Sequence, residues 1–152
     1  RAGLHSRAGR GLEHHLQLDG APMSSFGDQL HSFSRSTGIR FDKIVRKVCL
    51  DLTRDLVMLT PVDTGMAKSN WFLGTNRVSS TETTASKNGA PSLRRASDFA
   101  STIHGGGVFY IVNNLPYIMA LEYGSSTQAP AGMARVTVER FQSIVNDAVG
   151  AR

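Results

Sequence analysis

Cysteine is almost absent. Cys49 is the only one in 152 residues, so no internal disulfide can staple the fold, and the chain suits a reducing compartment. It falls on the apolar side of an expected helix, where a lone thiol acts as a small buried hydrophobe. No apolar run approaches the ~20 residues that a membrane-spanning helix needs, so no membrane partner is expected. Nor is there any run of three basic residues. The net charge of +5 and the pI near 9.9 are spread along the chain, whereas a domain that reads DNA sequence carries a denser basic stripe. That balance still draws a protein toward nucleic acid or acidic partners. Hydrophobic content of 40% and charged content of 19% are ordinary for a globular chain, and the length fits one domain with a real core.

Composition divides the chain. Residues 1–22 are Arg/Gly/Ala-rich without periodicity and end in the breaker cluster Gly20-Ala21-Pro22, so they read as a flexible or non-native extension, outside a single domain at 23–152. They lack the apolar stretch of a signal peptide. His5, His14 and His15 lie in this segment and are read as solvated, since a Gly/Arg-rich stretch offers a metal no fixed second shell. From Ser24 the pattern is helical, with Thr37-Gly38 as the place where a break is expected. Ile44, Val48, Leu52, Leu56 and Leu59 step by three or four, widened by Val45 and Cys49, while Lys43, Arg46, Lys47, Asp51, Arg54 and Asp55 take the opposite face. That spacing predicts a long amphipathic helix.

Residues 70–79 suit a strand, with Trp71, Leu73 and Val78 packed. The stretch 79–92 is polar and of low complexity, too poor in apolar surface to order itself, and is expected to be a mobile loop. A short helix is predicted over 93–103 from Leu93, Ala96, Ala100 and Ile103. After His104 and the triplet Gly105-Gly106-Gly107 comes a strand at 108–112. A second amphipathic helix is predicted over 133–149 from Val138, Phe141, Val145 and Ala148. No internal repeat is evident.

Two segments stand out as joins between regular elements. In Thr60-Pro61-Val62-Asp63-Thr64-Gly65, Pro61 cannot continue the helix, Asp63 and Thr64 can bond the local backbone, and Gly65 permits a positive φ. In Asn113-Asn114-Leu115-Pro116-Tyr117, running into Leu121-Glu122-Tyr123-Gly124, the asparagines end a strand and Pro116 fixes the restart. One or two helical turns then close at Gly124. These motifs, in this order, about fifty residues apart and set between two amphipathic helices, resemble a family of small morphogenesis proteins of tailed phages, the head–tail joining or tail-completion proteins. The residues that carry the resemblance are Thr60 to Gly65, Trp71, Ile111 to Asn114, Pro116, Tyr117 and Leu121 to Gly124, within a span of about residues 40–150. Met66-Ala67-Lys68 departs from the more usual Leu-Arg-type residues after the glycine.

Other features have plainer readings. A phosphate loop feeds a helix N-terminus and brings a lysine with serine or threonine. The glycine triplet precedes a strand instead and is read as a hairpin turn. His104 has no nucleophile or orienting carboxylate near it in sequence. Asp63 and Glu122 could pair across the fold as hydrolytic carboxylates, but each sits at a turn or helix end, where carboxylates bond backbone or meet an arginine. Arg94-Arg95 is the best candidate partner contact, against a solvated pair at a helix start. Trp71, Phe109, Tyr110 and Tyr117 divide between core and interface in a way the sequence does not settle.

The expected architecture is therefore α+β: a long N-terminal helix and a C-terminal helix packed on a small, mainly antiparallel sheet. No catalytic, cofactor-binding or metal-binding residue is expected. The resemblance implies a structural virion protein of the neck or proximal tail, assembled in the host cytoplasm and binding its own copies in a ring. Its neighbours would be head–tail connector or adaptor proteins on one side and a tail terminator or tail-tube protein on the other, with non-specific proximity to packaged DNA. An adaptor or tail-terminator protein of the same neck is the nearest rival, separable by ring size. A small basic nucleic-acid-binding protein is the rival from another class, recognisable by a steep salt dependence. With neither heptads nor a long continuous apolar surface in view, the isolated chain is expected to be monomeric or weakly associated.

Overall fold

Helix α1 (Phe26–Leu59) runs uninterrupted for 34 residues, about 50 Å, in a computed structural model that describes residues 26–76 and 80–151. The extension 1–22 and the packing of Val78 lie outside the described residues. The helix passes through Gly38 without the expected break; nothing lies within 4 Å of a Cβ there, so glycine costs only its propensity, about 1 kcal/mol. It stops where Pro61 removes the next donor. Thr60 closes the last turn, its N–H and Oγ1 both donating to the Leu56 carbonyl at 3.1 and 2.6 Å, and the buried Lys68 ammonium reaches the Met58 carbonyl at 3.5 Å.

After α1 come α2 (Met66–Ser69), β1 (Phe72–Gly74), α3 (Ala90–Ser101), β2 (Tyr110–Val112), α4 (Ile118–Glu122), α5 (Ala134–Glu139) and α6 (Phe141–Gly150). The strands pair antiparallel, Phe72 with Val112, Leu73 with Ile111 and Gly74 with Tyr110. This is the α+β arrangement expected, with the sheet reduced to two three-residue strands. Since α3 lies between the strands in sequence, the glycine triplet joins a helix to β2 and is not the expected hairpin turn.

Two apolar clusters flank the ribbon. Leu56, Val57, Trp71, Ile118 and Met133 form one; Cys49, Leu73, Ala96, Ala100 and Ile103 form the other, and Ile111 touches both. Burial on α1 therefore centres on Cys49, Thr53, Leu56 and Val57, rotated from the predicted Ile44–Val48–Leu52 line, whose members are only half-buried. Thr53 tolerates full burial because its hydroxyl donates to the Cys49 carbonyl at 2.8 Å. The C-terminal helix is likewise displaced from expectation. It is split at Arg140 into α5 and α6, and it buries Thr137, Ile144 and Ala148 while Val138 and Phe141 stay exposed.

The polar stretch after β1, which cannot order itself, is held by partners outside it. Asn70, fully buried, accepts the Glu82 N–H at 2.7 Å and donates to the Glu82 carbonyl at 3.1 Å. Ser69 Oγ accepts the Ser86 N–H at 2.9 Å, and Arg95 pairs with the Glu82 carboxylate at 3.1 Å. Composition excludes apolar anchoring of this segment but says nothing of polar anchoring from elsewhere. Helix α3 then starts at Ala90, three residues before the predicted Leu93, because Asn88 Oδ1 accepts the Ala90 N–H at 3.0 Å and Pro91 suits a first turn. In hydrogen exchange on the free protein, the amides of Glu82 and Ser86 should exchange well slower than that of Thr81. Asn70→Ala should abolish protection at Glu82 first.

Candidate functional site

The two motif segments, far apart in sequence, meet on one side of the domain. In the first, Thr60 is the pivot. Its hydroxyl, already bonded to the end of α1, accepts the Trp71 indole N–H at 2.8 Å, fixing the buried ring against the first cluster. Pro61 is buried, and Thr64 Oγ1 accepts the Met66 N–H at 3.2 Å. Asp63 is exposed, so Thr64 alone supplies the side-chain bond expected of both. Gly65 precedes α2 at φ 91°, and a Cβ there would stand 2.4 Å from the Ser86 carbonyl carbon. Only glycine serves both the left-handed turn and this close crossing of backbones.

In the second segment Asn113 holds both sides of the join. Its Nδ2 donates to the Ala67 carbonyl at 3.0 Å and its Oδ1 accepts the Leu115 N–H at 3.3 Å. Pro116 and Tyr117 are exposed at the start of α4. The helix ends in a glycine-closed motif: Gly124 lies at φ 84°, its N–H bonds the Leu121 carbonyl and the Ser125 N–H bonds the Ala120 carbonyl. A Cβ on Gly124 would meet the Pro130 carbonyl oxygen at 2.6 Å.

Glu122 caps a helix that is not its own. Helix α5 has no side-chain cap of its own, and the Glu122 carboxylate accepts the N–H groups of Met133, Ala134 and Arg135 at 2.8, 2.8 and 3.0 Å. Arg135 adds a bond from Nε at 3.3 Å and reaches the Glu122 carbonyl, while its guanidinium stands 5.5 Å above the Tyr123 ring. Burial pushes this carboxyl upward, but the N–H groups of Ala134, Arg135 and Met133 and the Arg135 side chain outweigh it and hold it below the ordinary carboxylate range. A carboxylate so committed is a poor general acid.

Gln128 ties the segments together, accepting the Val62 N–H at 2.8 Å and donating to the Val62 carbonyl at 3.1 Å. Between them lies a shallow cleft of about 270 Å³ lined by Pro61, Thr64, Met66, Tyr117, Leu121 and Gln128, among others. Its walls are backbone and aliphatic surface with the Gln128 carboxamide, the Tyr117 phenol, the Asp63 carboxylate and the hydroxyls of Thr64 and Ser126.

The arginine pair divides. Arg94 is exposed, but Arg95 is not free to meet a partner. Its Nη2 donates to the carbonyls of Ser69 and Trp71 at 2.5 and 3.3 Å, Nη1 meets Glu82, and the guanidinium packs 4.2 Å from the Phe72 ring centroid. Burial lowers its pKa and Glu82 opposes the shift. Elsewhere, His104 Nδ1 stands 3.6 Å from Asp42 and 3.2 Å from Arg46, in the open. Burial raises the Cys49 thiol, as suits an inert side chain. Among the described residues, no group of three histidine, cysteine or acidic side chains is placed to hold a metal. Sequence reasoning missed Asn70, Ser92, Gln128 and Arg135, the polar residues that lock the motifs in place; the one signal was the i, i+3 spacing that puts Ser92 on a helix face with Arg95.

No family model, curated protein or solved structure matches this chain. Among the described residues, no helix is long and apolar enough to cross a membrane.

Gly65→Val should cost roughly 2–4 kcal/mol in denaturant unfolding, from left-handed strain plus the forced displacement of residue 86, whereas Asp63→Ala should stay within about 0.5 kcal/mol. Glu122→Ala should cost roughly 1–3 kcal/mol at neutral pH by orphaning the α5 donors. Because the folded carboxyl is depressed, its stabilisation is present above the unfolded value of about 4.3 and fades as pH falls below it. The gap between Glu122→Ala and the native chain should therefore close in acid unfolding curves.

Proposed function

We propose that this chain is a structural joining protein of a phage neck or proximal tail, built to be recognised by neighbours and not to catalyse. The observation that carries the reading is the commitment of the motif residues. Thr60, Asn113 and Glu122 bond backbone, Trp71 is seated on the Thr60 hydroxyl, and Gly65 and Gly124 stand where no Cβ fits, while Asp63 and Tyr117 are exposed in the cleft wall and Pro116 and Tyr123 are exposed on the same segment as Tyr117. Such a division suits an interface: a pre-shaped backbone presenting aromatic anchors that need little ordering on docking. In this reading the protein forms a ring of its own copies between connector or adaptor proteins and the tail terminator or tail tube.

Deleting it from a phage genome that carries it should leave filled heads and separate tails that do not join, seen by electron microscopy. Tyr117→Ala/Tyr123→Ala protein, with an unchanged melting curve, should fail to restore joining. Normal joined virions from the deletion would discard the assignment.

A second reading has one observation in its favour. Arg35, Arg40, Lys43 and Arg54 are exposed along α1, a spacing that suits contact with a phosphate backbone. If binding nucleic acid were the main function, affinity for duplex DNA should fall steeply and log-linearly with salt.

A further inference from the structure

Every residue of α1 from Phe26 to Phe41 is exposed, so about 24 Å of helix stands clear of the domain. Its composition is poorly suited to that. Two glycines, three serines and a threonine in residues 26–41 depress intrinsic helicity, and a free helix of this length is marginal in water even with good formers. Yet it carries Phe26, Leu30 and Phe33 at helical spacing, 81, 55 and 68% exposed. The same side of α1 continues into a groove of about 370 Å³ between α1, the glycine triplet and α6. Its walls include Phe41, Ile44, Val48, Leu52, Phe109 and Val145. The rotation of α1 toward Cys49 and Thr53 leaves its other apolar side only half-covered, in two stretches separated by Thr37 and Arg40.

We infer that this face is a contact between copies of the chain, the arm of one copy lying in the groove of another. Ridge and groove belong to one helix. Phe33 and Val48 are fifteen residues apart in sequence, about 22 Å along a continuous helix, so a ridge cannot fill its own groove but can fill that of a second copy. The groove floor from Phe41 to Leu52 spans about 16 Å and the ridge from Phe26 to Phe33 about 10 Å, so one accommodates the other. The arm carries only Asp28, Arg35 and Arg40 as formal charges, which keeps like-charge repulsion small between positively charged copies.

The area agrees. Phe26, Phe33, Phe41 and Phe141 are 81, 68, 49 and 46% exposed, leaving roughly 400–600 Å² of ring surface in water per copy at 150–250 Å² per aromatic. That is comparable to the largest apolar patch on a typical monomer, which is often functional. A reciprocal pair of contacts removes roughly 800–1,200 Å², where specific interfaces begin, so the association is reversible and concentration-dependent. Reciprocal seating closes a pair, and head-to-tail seating of the same two surfaces builds a ring.

The inference rests on the reading that the protein assembles with its own copies, and its test is separable from the neck assignment because it uses pure protein. Sedimentation of the full chain over a wide concentration range should show reversible self-association. Phe33→Glu should weaken it at least tenfold without moving the melting curve. Met58→Glu, an equally exposed site outside the groove, should leave it unchanged. When Phe33→Cys protein is mixed with Val145→Cys protein and oxidised, the disulfide between unlike chains should dominate. A monomer at all concentrations, association indifferent to Phe33→Glu, or disulfides only between two Phe33→Cys chains would each overturn the inference. Loss of joining in the deletion phage with a strictly monomeric protein would sink this contact alone; self-association with normally joined virions would sink the neck assignment alone.

Discussion

The Arg95 guanidinium is the one charge around which this domain is folded. It reaches from α3 to the last carbonyl of α2, to the carbonyl that leads into β1, and to the Glu82 carboxylate, with the Phe72 ring against its face. Removing a cation from water costs several kcal/mol, and only good geometry with several acceptors offsets it. The two terminal nitrogens of a planar fork reach all three acceptors, although the buried Nε finds none; a lysine ammonium lacks that fixed fork. Once the guanidinium is seated, the end of α2, the start of β1 and the polar segment around Glu82 have fixed mutual positions.

The rest of that corner follows the same logic of directional bonds. Thr60, Ser69, Asn70 and Ser92 are essentially inaccessible, and each is satisfied. Ser92 Oγ donates to the Lys68 carbonyl and accepts the Trp71 N–H, at 2.8 and 3.0 Å. Asn70 clasps Glu82 from both sides while capping Met66 at 2.8 Å. Apolar packing tolerates small slides, whereas bonds of this kind specify one register and leave costly orphans in any other. Two strands of three residues would be marginal alone. Here the ribbon is held at one end by this polar network and on its flanks by the two apolar clusters.

The sequence was most legible where a local rule acts alone. Pro61 ends α1, Gly65 and Gly124 take the left-handed positions, and the 3.6-residue period announces a long helix. It was least legible where distant partners decide. The period of α1 fixes that it is amphipathic but not which of two adjoining apolar lines faces the core. Ala96 and Ala100 on α3, with Ile103 just after it, chose Cys49 and its neighbours over Ile44 and Val48. The stretch after β1 looked structureless because composition reports apolar content and is blind to Asn70, Ser69 and Arg95 reaching in from elsewhere. Glu122 was read as bonding backbone or arginine at a helix end, and it does both, but for α5, eleven or more residues away. The split at Arg140 follows no proline or glycine, and no sequence signal marks it.

These two sources of order divide the molecule by role. The end of the domain around the motifs is locked by short polar bonds, so the cleft and its flanking tyrosines are presented in one shape. The other end is governed by apolar surface that the chain does not finish covering: α1 runs past its last contacts, and α6 leaves Phe141 and Val149 outward. A rigid end recognises a partner by fit, because its shape exists before the partner arrives. An end that exposes apolar helix gains order only when another surface covers it, so its order depends on concentration and on what is already assembled. On the proposed reading, a chain with both would stay dispersed until copies accumulate, and would then meet a different neighbour through a face already formed. That sequence of events needs no chemistry beyond burial and hydrogen bonding, and the distribution of polar and apolar order along this fold supplies both.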